Sequence, residues 1–237
     1  LLAARASVLP LTLSACLFAG LLALPWSPGE GARLVLVTLA LLLAHATNNL
    51  LNDHVDYLTG LDRGNYFRAR YGAHPLARGL MSRTGHGAMV LLTGTIALLL
   101  AVLLAGKLGA PAYWLAGAGA FFLLFYTHPL KRWALGEASV FLVWGPLMVG
   151  GVYWAVSGDW GAEILLLSAV SGLGPTVVIF AKHTDKHSDD ARRGVRTLPV
   201  LLGARGSAVT ISLLAVWQMG LTVVWAFAEQ AWAYLVV

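Results

Sequence analysis

Charge is what this chain has least of. Only 11% of its 237 residues are Asp, Glu, Lys or Arg, where a soluble domain carries about a quarter. A water-facing surface cannot be built from so few. Cysteine is nearly absent too. Cys16 stands alone inside an apolar run, which excludes a disulfide framework and a thiolate metal site within the chain. There is no low-complexity tract, no Gly-rich phosphate loop between strand and helix, and no Gly-x-Ser-x-Gly elbow to present a serine nucleophile. The basic residues sit in short loops without a basic domain of their own, which gives a nucleic-acid-binding reading little support.

What the chain has is hydrocarbon: 58% of residues are hydrophobic and the mean hydropathy is +0.74. A helix needs about 20 residues to cross ~30 Å of bilayer core. Runs near that length occupy Val8–Ala23, Leu34–Leu51, Gly87–Ala105, Tyr113–Thr127, Ala138–Val156, Ile164–Ala181 and Ala208–Ala226, and another begins near Trp232. The fold class expected is therefore all-α: a polytopic transmembrane helical bundle with seven to eight spans in this chain. It reads as one membrane domain over residues 1–237, lacking spans at its C-terminal end. Glycines and alanines within the runs allow close helix approach. Trp26, Trp160 and Trp232 mark span ends, as interfacial tryptophans do.

Loop cations give the orientation. With the N-terminus inside, the cytoplasmic side carries Arg5, the Arg63–Arg83 group, Lys131, Arg132 and the Lys182–Arg205 group, while the other side keeps Arg33 and Lys107. The expectation is an integral protein of a bacterial or archaeal cytoplasmic membrane, N-terminus inside, with its polar loops facing the cytoplasm.

The few acids are clustered. Asn49, Asn52, Asp53 and Asp56 recur at helical spacing at the end of the second run, Thr59-Gly60 should stop that helix, and Asp62 follows. Asp185, Asp189 and Asp190 close the sixth run, with Lys182 before them and Arg192, Arg193 and Arg196 after. Carboxylates crowded beside hydrocarbon repel one another unless a cation joins them. Mg2+ is the fitting cation, because it takes one or two carboxylates and leaves positions for phosphate oxygens. The residues expected to hold it are Asp53, Asp56, Asp62, Asp185, Asp189 and Asp190. A third loop, Tyr126 to Arg132, contributes Lys131, a point charge suited to phosphate. Glu137 follows at a helix start, where a carboxylate favours the dipole, a role that stands beside a catalytic one. His45, alone within the second run, reads as a hydrogen-bonded structural residue ahead of one that orients an acceptor.

Three stretches, NNLLNDHVDYLTGLD, FYTHPLKRWALGEASVFLVWGPLMVGG and KHTDKHSDDARRGVRTLPVLLG, together with Arg5-Ala-Ser-Val-Leu-Pro10, resemble the UbiA superfamily of intramembrane aromatic prenyltransferases. The Gly60-Leu-Asp62 ending is similar to the menaquinone-type, dihydroxynaphthoate branch. The resemblance implies a helical bundle of nine spans when complete. It implies Mg2+ as cofactor, an isoprenyl diphosphate as donor and a small aromatic or lipid acceptor. Asn49, Asp53, Asp56 and Asp62 match the first motif and Asp185 the start of the second. Asp189 keeps the motif's distance to Asp185, and Asp190 its distance to Gly194. The implied chemistry ionises the allylic C–O bond. Asp56, Asp185, Lys131 and Tyr126 would be catalytic, and Asn49, Lys131, Lys182, Arg68 and Arg196 would bind the diphosphate. Other diphosphate chemistries, terpene cyclisation and glycerol-phosphate prenylation, share these motifs. A transporter would instead place its ionisable residues near the midplane.

Overall fold

A computed structural model describes residues 2–60 and 74–228, and these are helical without a strand among them. Asp62, Arg68 and Trp232 lie outside the described residues. The chain divides into two compact units, Leu1–Pro129 and Leu130–Val237.

In the first unit, a short 3-10 turn leads into α1 (Leu9–Leu22), followed by α2 (Pro28–Leu58), α3 (Arg83–Leu108) and α4 (Ala110–Phe125). Helix α2 begins on a capping box. The Ser27 side chain accepts from the Glu30 N–H at 3.3 Å, and the Glu30 carboxylate accepts from the Ser27 N–H at 2.6 Å. Helix α2 ends at the expected stop, where Gly60 has φ 76°, a backbone turn that glycine makes without a Cβ penalty. Helix α1 packs on α2, with Leu34 against the bare backbone of Gly20. Thr12 and His45 bond at 2.7 Å across the same interface, consistent with a structural role for His45.

The second unit holds α5 (Gly136–Ser157), α6 (Ala162–Asp185), α7 (His187–Arg192) and α8 (Leu198–Ala228). Helix α5 widens to π-helical turns over Val143–Gly150, which accommodates Pro146, whose ring has no N–H to give the ladder. There α5 and α6 touch backbone to backbone. A Cβ on Gly145 would lie 2.4 Å from the Ser168 carbonyl oxygen, and one on Gly172 2.7 Å from that of Phe141. Only glycine permits this approach.

Among the described residues five helices (α2, α3, α5, α6 and α8) are long and apolar enough to cross a membrane, while α1 and α4 are apolar but shorter. Large apolar side chains cover their outer faces: Trp114 is 81% exposed, Leu91 72% and Val178 67%. Such faces are stable against lipid, not water. The last helix starts earlier than the run at Ala208, because Leu198 to Leu202 form a turn of helix before a kink at Gly203, φ 69°.

Candidate active site

Each unit gathers its buried charged side chains at one end. In the first unit that end is built on the last turns of α2. Asn49, Asp53 and Asp56 recur every three to four residues on the buried face of α2, and all are at least 94% buried. The N-terminal segment lies across them. Arg5, in the left-handed region at φ 51°, forms an ion pair with Asp53, and the Asn49 amide donates to the Ala4 carbonyl at 3.2 Å. The Asn52 amide satisfies both its ends in one orientation. Its nitrogen donates to Asp56 Oδ2 at 3.2 Å and to Thr127 Oγ1 at 3.2 Å, and its oxygen accepts from Arg5 at 3.2 Å. Thr127 follows α4, so the start of α1 and the ends of α2 and α4 meet here. Tyr126 caps α4 and is half-buried. On the opposite flank of α2, His54 stacks on the fully buried His86 at the start of α3, with ring centroids 5.5 Å apart.

In the second unit the polar end joins the start of α5 to the end of α6. Lys131 lies in a 3-10 turn, Leu130–Arg132, and is 5% exposed. Two residues of this loop donate back to one carbonyl: the Leu135 and Trp133 N–H groups reach the Leu130 oxygen at 3.0 and 3.1 Å. Trp133 also pairs with Arg196 in an isolated parallel bridge. Glu137, in the first turn of α5, accepts from His183 Nδ1 at 2.6 Å, both side chains being almost fully buried. The carboxylate at this helix start is therefore a buried partner of α6, beyond the dipole role expected of it.

The acids of the second cluster separate. Helix α6 ends at Asp185, which is exposed, and the chain breaks at Lys186 before α7 begins. Asp189 then pairs with exposed Arg192, whereas Asp190 is fully buried and holds Lys186 Nζ at 3.1 Å. Lys182 and Arg196 are exposed. Sequence reasoning passed over Lys186 and His183. The i,i+4 spacing of Lys186 and Asp190 was a usable signal, but nothing in the linear pattern paired His183 with Glu137.

Among the described residues no three acidic, His or Cys side chains are arranged to hold an ion unaided. Magnesium does not need such a cage, since one or two carboxylates suffice when phosphate and water supply the rest. The hard oxygen donors at the end of α2 and the exposed Asp185 fit that mode of binding.

The model of the UbiA prenyltransferase family matches residues 8–237. The chain belongs to this family. It is a transferase of prenyl groups and an integral membrane protein. Among curated UbiA-type relatives, it is 29% identical to a 1,4-dihydroxy-2-naphthoate octaprenyltransferase of Haemophilus influenzae over 90% of this chain and 72% of that one. It is 25% identical to a 2-carboxy-1,4-naphthoquinone phytyltransferase of Synechocystis over 98% of this chain and 73% of that one. The fold matches a solved digeranylgeranylglyceryl phosphate synthase with TM-score 0.65 at 19% identity, covering 97% of this chain and 76% of the other. Both curated relatives stand on the menaquinone side of the UbiA family.

Proposed function

We propose that this UbiA-family enzyme transfers a polyprenyl group from an isoprenyl diphosphate to an aromatic acceptor of the dihydroxynaphthoate class, in a Mg2+-dependent reaction at the cytoplasmic face of the membrane. The observation that carries the reading is the buried Asn49, Asp53 and Asp56 stripe at the end of an apolar helix. The names of two relatives, a dihydroxynaphthoate and a carboxynaphthoquinone transferase, support the acceptor class.

In this reading Asp53, Asp56 and Asp62 of the first motif, and Asp185 and Asp189 of the second, are the residues that would hold magnesium. Asp190 is assigned to holding Lys186 instead, because its carboxylate is fully buried on that ammonium. When bound, magnesium neutralises diphosphate oxygens and so eases loss of the diphosphate from the allylic carbon. Lys131 adds charge to the leaving group from within a low-dielectric loop, where one ammonium is worth more than in water. Asn49, Lys182, Arg68 and Arg196 complete the contacts to the diphosphate. The half-buried Tyr126 offers its π face to the allylic cation. The C–O bond breaks with its electron pair leaving on the diphosphate, an electron-rich ring carbon of the acceptor forms the new C–C bond, and the ring regains aromaticity by releasing the group that carbon carried, as H+ or, from a carboxylated position, as CO2. The apolar helices keep water from capturing the cation.

The test is product analysis. Purified protein is given a labelled prenyl diphosphate with dihydroxynaphthoate or glycerol phosphate, with and without EDTA. A prenylated ring formed only when Mg2+ is present supports the proposal. An ether lipid, a cyclic hydrocarbon, or full activity in EDTA refutes it.

A further inference from the structure

The second unit buries five ionisable side chains at its polar end. Lys131, Glu137, His183, Lys186 and Asp190 are each at least 93% buried. Two ammonium groups and two carboxylates balance, and His183 closes the set. Their connections differ in kind. Lys186 is held directly by Asp190, four residues on. Glu137 is 46 residues from His183, and their hydrogen bond ties the first turn of α5 to the last turn of α6. Only one Glu137 oxygen is held in this way, since Oε2 has no donor among the described residues. Lys131 and Lys186 both lie within electrostatic reach of His183.

The Lys131 loop leans on the pinned turn. Gly136, next to Glu137, packs so closely that a Cβ there would stand 3.3 Å from the Lys131 Cα. The Leu135 and Trp133 N–H groups fold the loop onto Leu130. Where the first turn of α5 goes, the Lys131 backbone must follow.

We propose that the Glu137–His183 pair is a positioning device for the UbiA-type reaction: it touches neither substrate, and it aims the Lys131 ammonium at the diphosphate by clamping the start of α5 to the end of α6. This rests on the assignment of Lys131 to the diphosphate above. A charge-assisted hydrogen bond between buried groups holds a geometry that an apolar contact would leave loose.

The probe is inorganic diphosphate with Mg2+, titrated calorimetrically into the purified full chain, with thermal melting of each variant alongside. Glu137→Leu weakens diphosphate affinity about tenfold, the scale of one charge-assisted hydrogen bond, at unchanged stoichiometry. Glu137→Gln keeps an oxygen for the His183 N–H and recovers most of the affinity. In a Lys131→Met background, Glu137→Leu adds no further loss, because the two act through one ammonium. Fewer binding sites of normal affinity in Glu137→Leu would show a folding role alone and overturn the proposal, as would a full additional tenfold loss in the Lys131→Met background. Unchanged affinity in Lys131→Met itself would refute the assignment of Lys131, and this inference with it. A failed cycle with Lys131→Met weakened leaves that assignment standing.

Discussion

Arg5→Met removes the guanidinium that answers Asp53 while leaving an apolar stem of similar length. The Asp53 side chain is fully buried and that of Arg5 is 19% exposed, so the loss is asymmetric. Removing the cation, with no metal bound, leaves a buried carboxylate without its guanidinium, which costs about 3–5 kcal/mol for a buried pair. The partial exposure of Arg5 places the expectation near the lower end, about 3 kcal/mol. The Asn52 oxygen loses its 3.2 Å donor as well, which adds about 1 kcal/mol. For a chain of this length each kcal/mol moves the melting temperature by about 2–4 °C, so detergent-solubilised Arg5→Met should melt about 8–16 °C lower. Asp53→Asn in the same background removes the buried charge and should restore most of the loss. Asp53→Asn alone should cost less than Arg5→Met, because Arg5 can turn toward solvent. Intrinsic tryptophan fluorescence on heating follows all three. A melting temperature unmoved in Arg5→Met, or a double variant no more stable than Arg5→Met, would show that the pair does not neutralise this helix end.

Asp56→Asn and Asp185→Asn should each lower turnover at least about a hundredfold, the equivalent of ~3 kcal/mol of lost charge stabilisation. Both should melt near the parent temperature, and normal turnover in either would remove it from the metal site. Gly172→Val sets a side chain against the Phe141 carbonyl and Gly145, and should destabilise by about 1–3 kcal/mol. Gly174→Ala meets only the end of Gln218 at 3.4 Å and should melt close to the parent, so equal melting of the two would deny the close α5–α6 contact. Lys186→Met takes the ammonium from buried Asp190 and should cost about 3 kcal/mol, whereas Lys182→Met on the exposed side should stay within about 0.5 kcal/mol in the same denaturation assay.

The body and the stop of helix α2 were legible because their signals are local: an apolar run from Leu34 fills it and Thr59-Gly60 ends it, whereas its start on the Ser27–Glu30 capping box lies before that run and was not read. The buried stripe Asn49, Asp53, Asp56 was legible for the same reason, since helical spacing alone puts those residues on one face. The start of α8 was not, because Gly203 interrupts the pattern and divides the helix into two pieces that the linear reading separates. The second acid cluster was half legible. Its position at the end of α6 follows from the apolar run, but the break at Lys186 sends Asp185, Asp189 and Asp190 into three different surroundings.

Composition and periodicity by themselves determined that this chain is a helical membrane protein, and its motifs identified the family, because the bilayer admits few ways to satisfy a backbone and those ways are written in runs of about 20 residues. Which charge answers which was decided only in three dimensions. Arg5 reaches Asp53 across 48 residues and His183 reaches Glu137 across 46. A buried ion takes whatever partner the packed helices bring within about 3 Å, so its partner is a property of the assembled core and not of its neighbours in sequence.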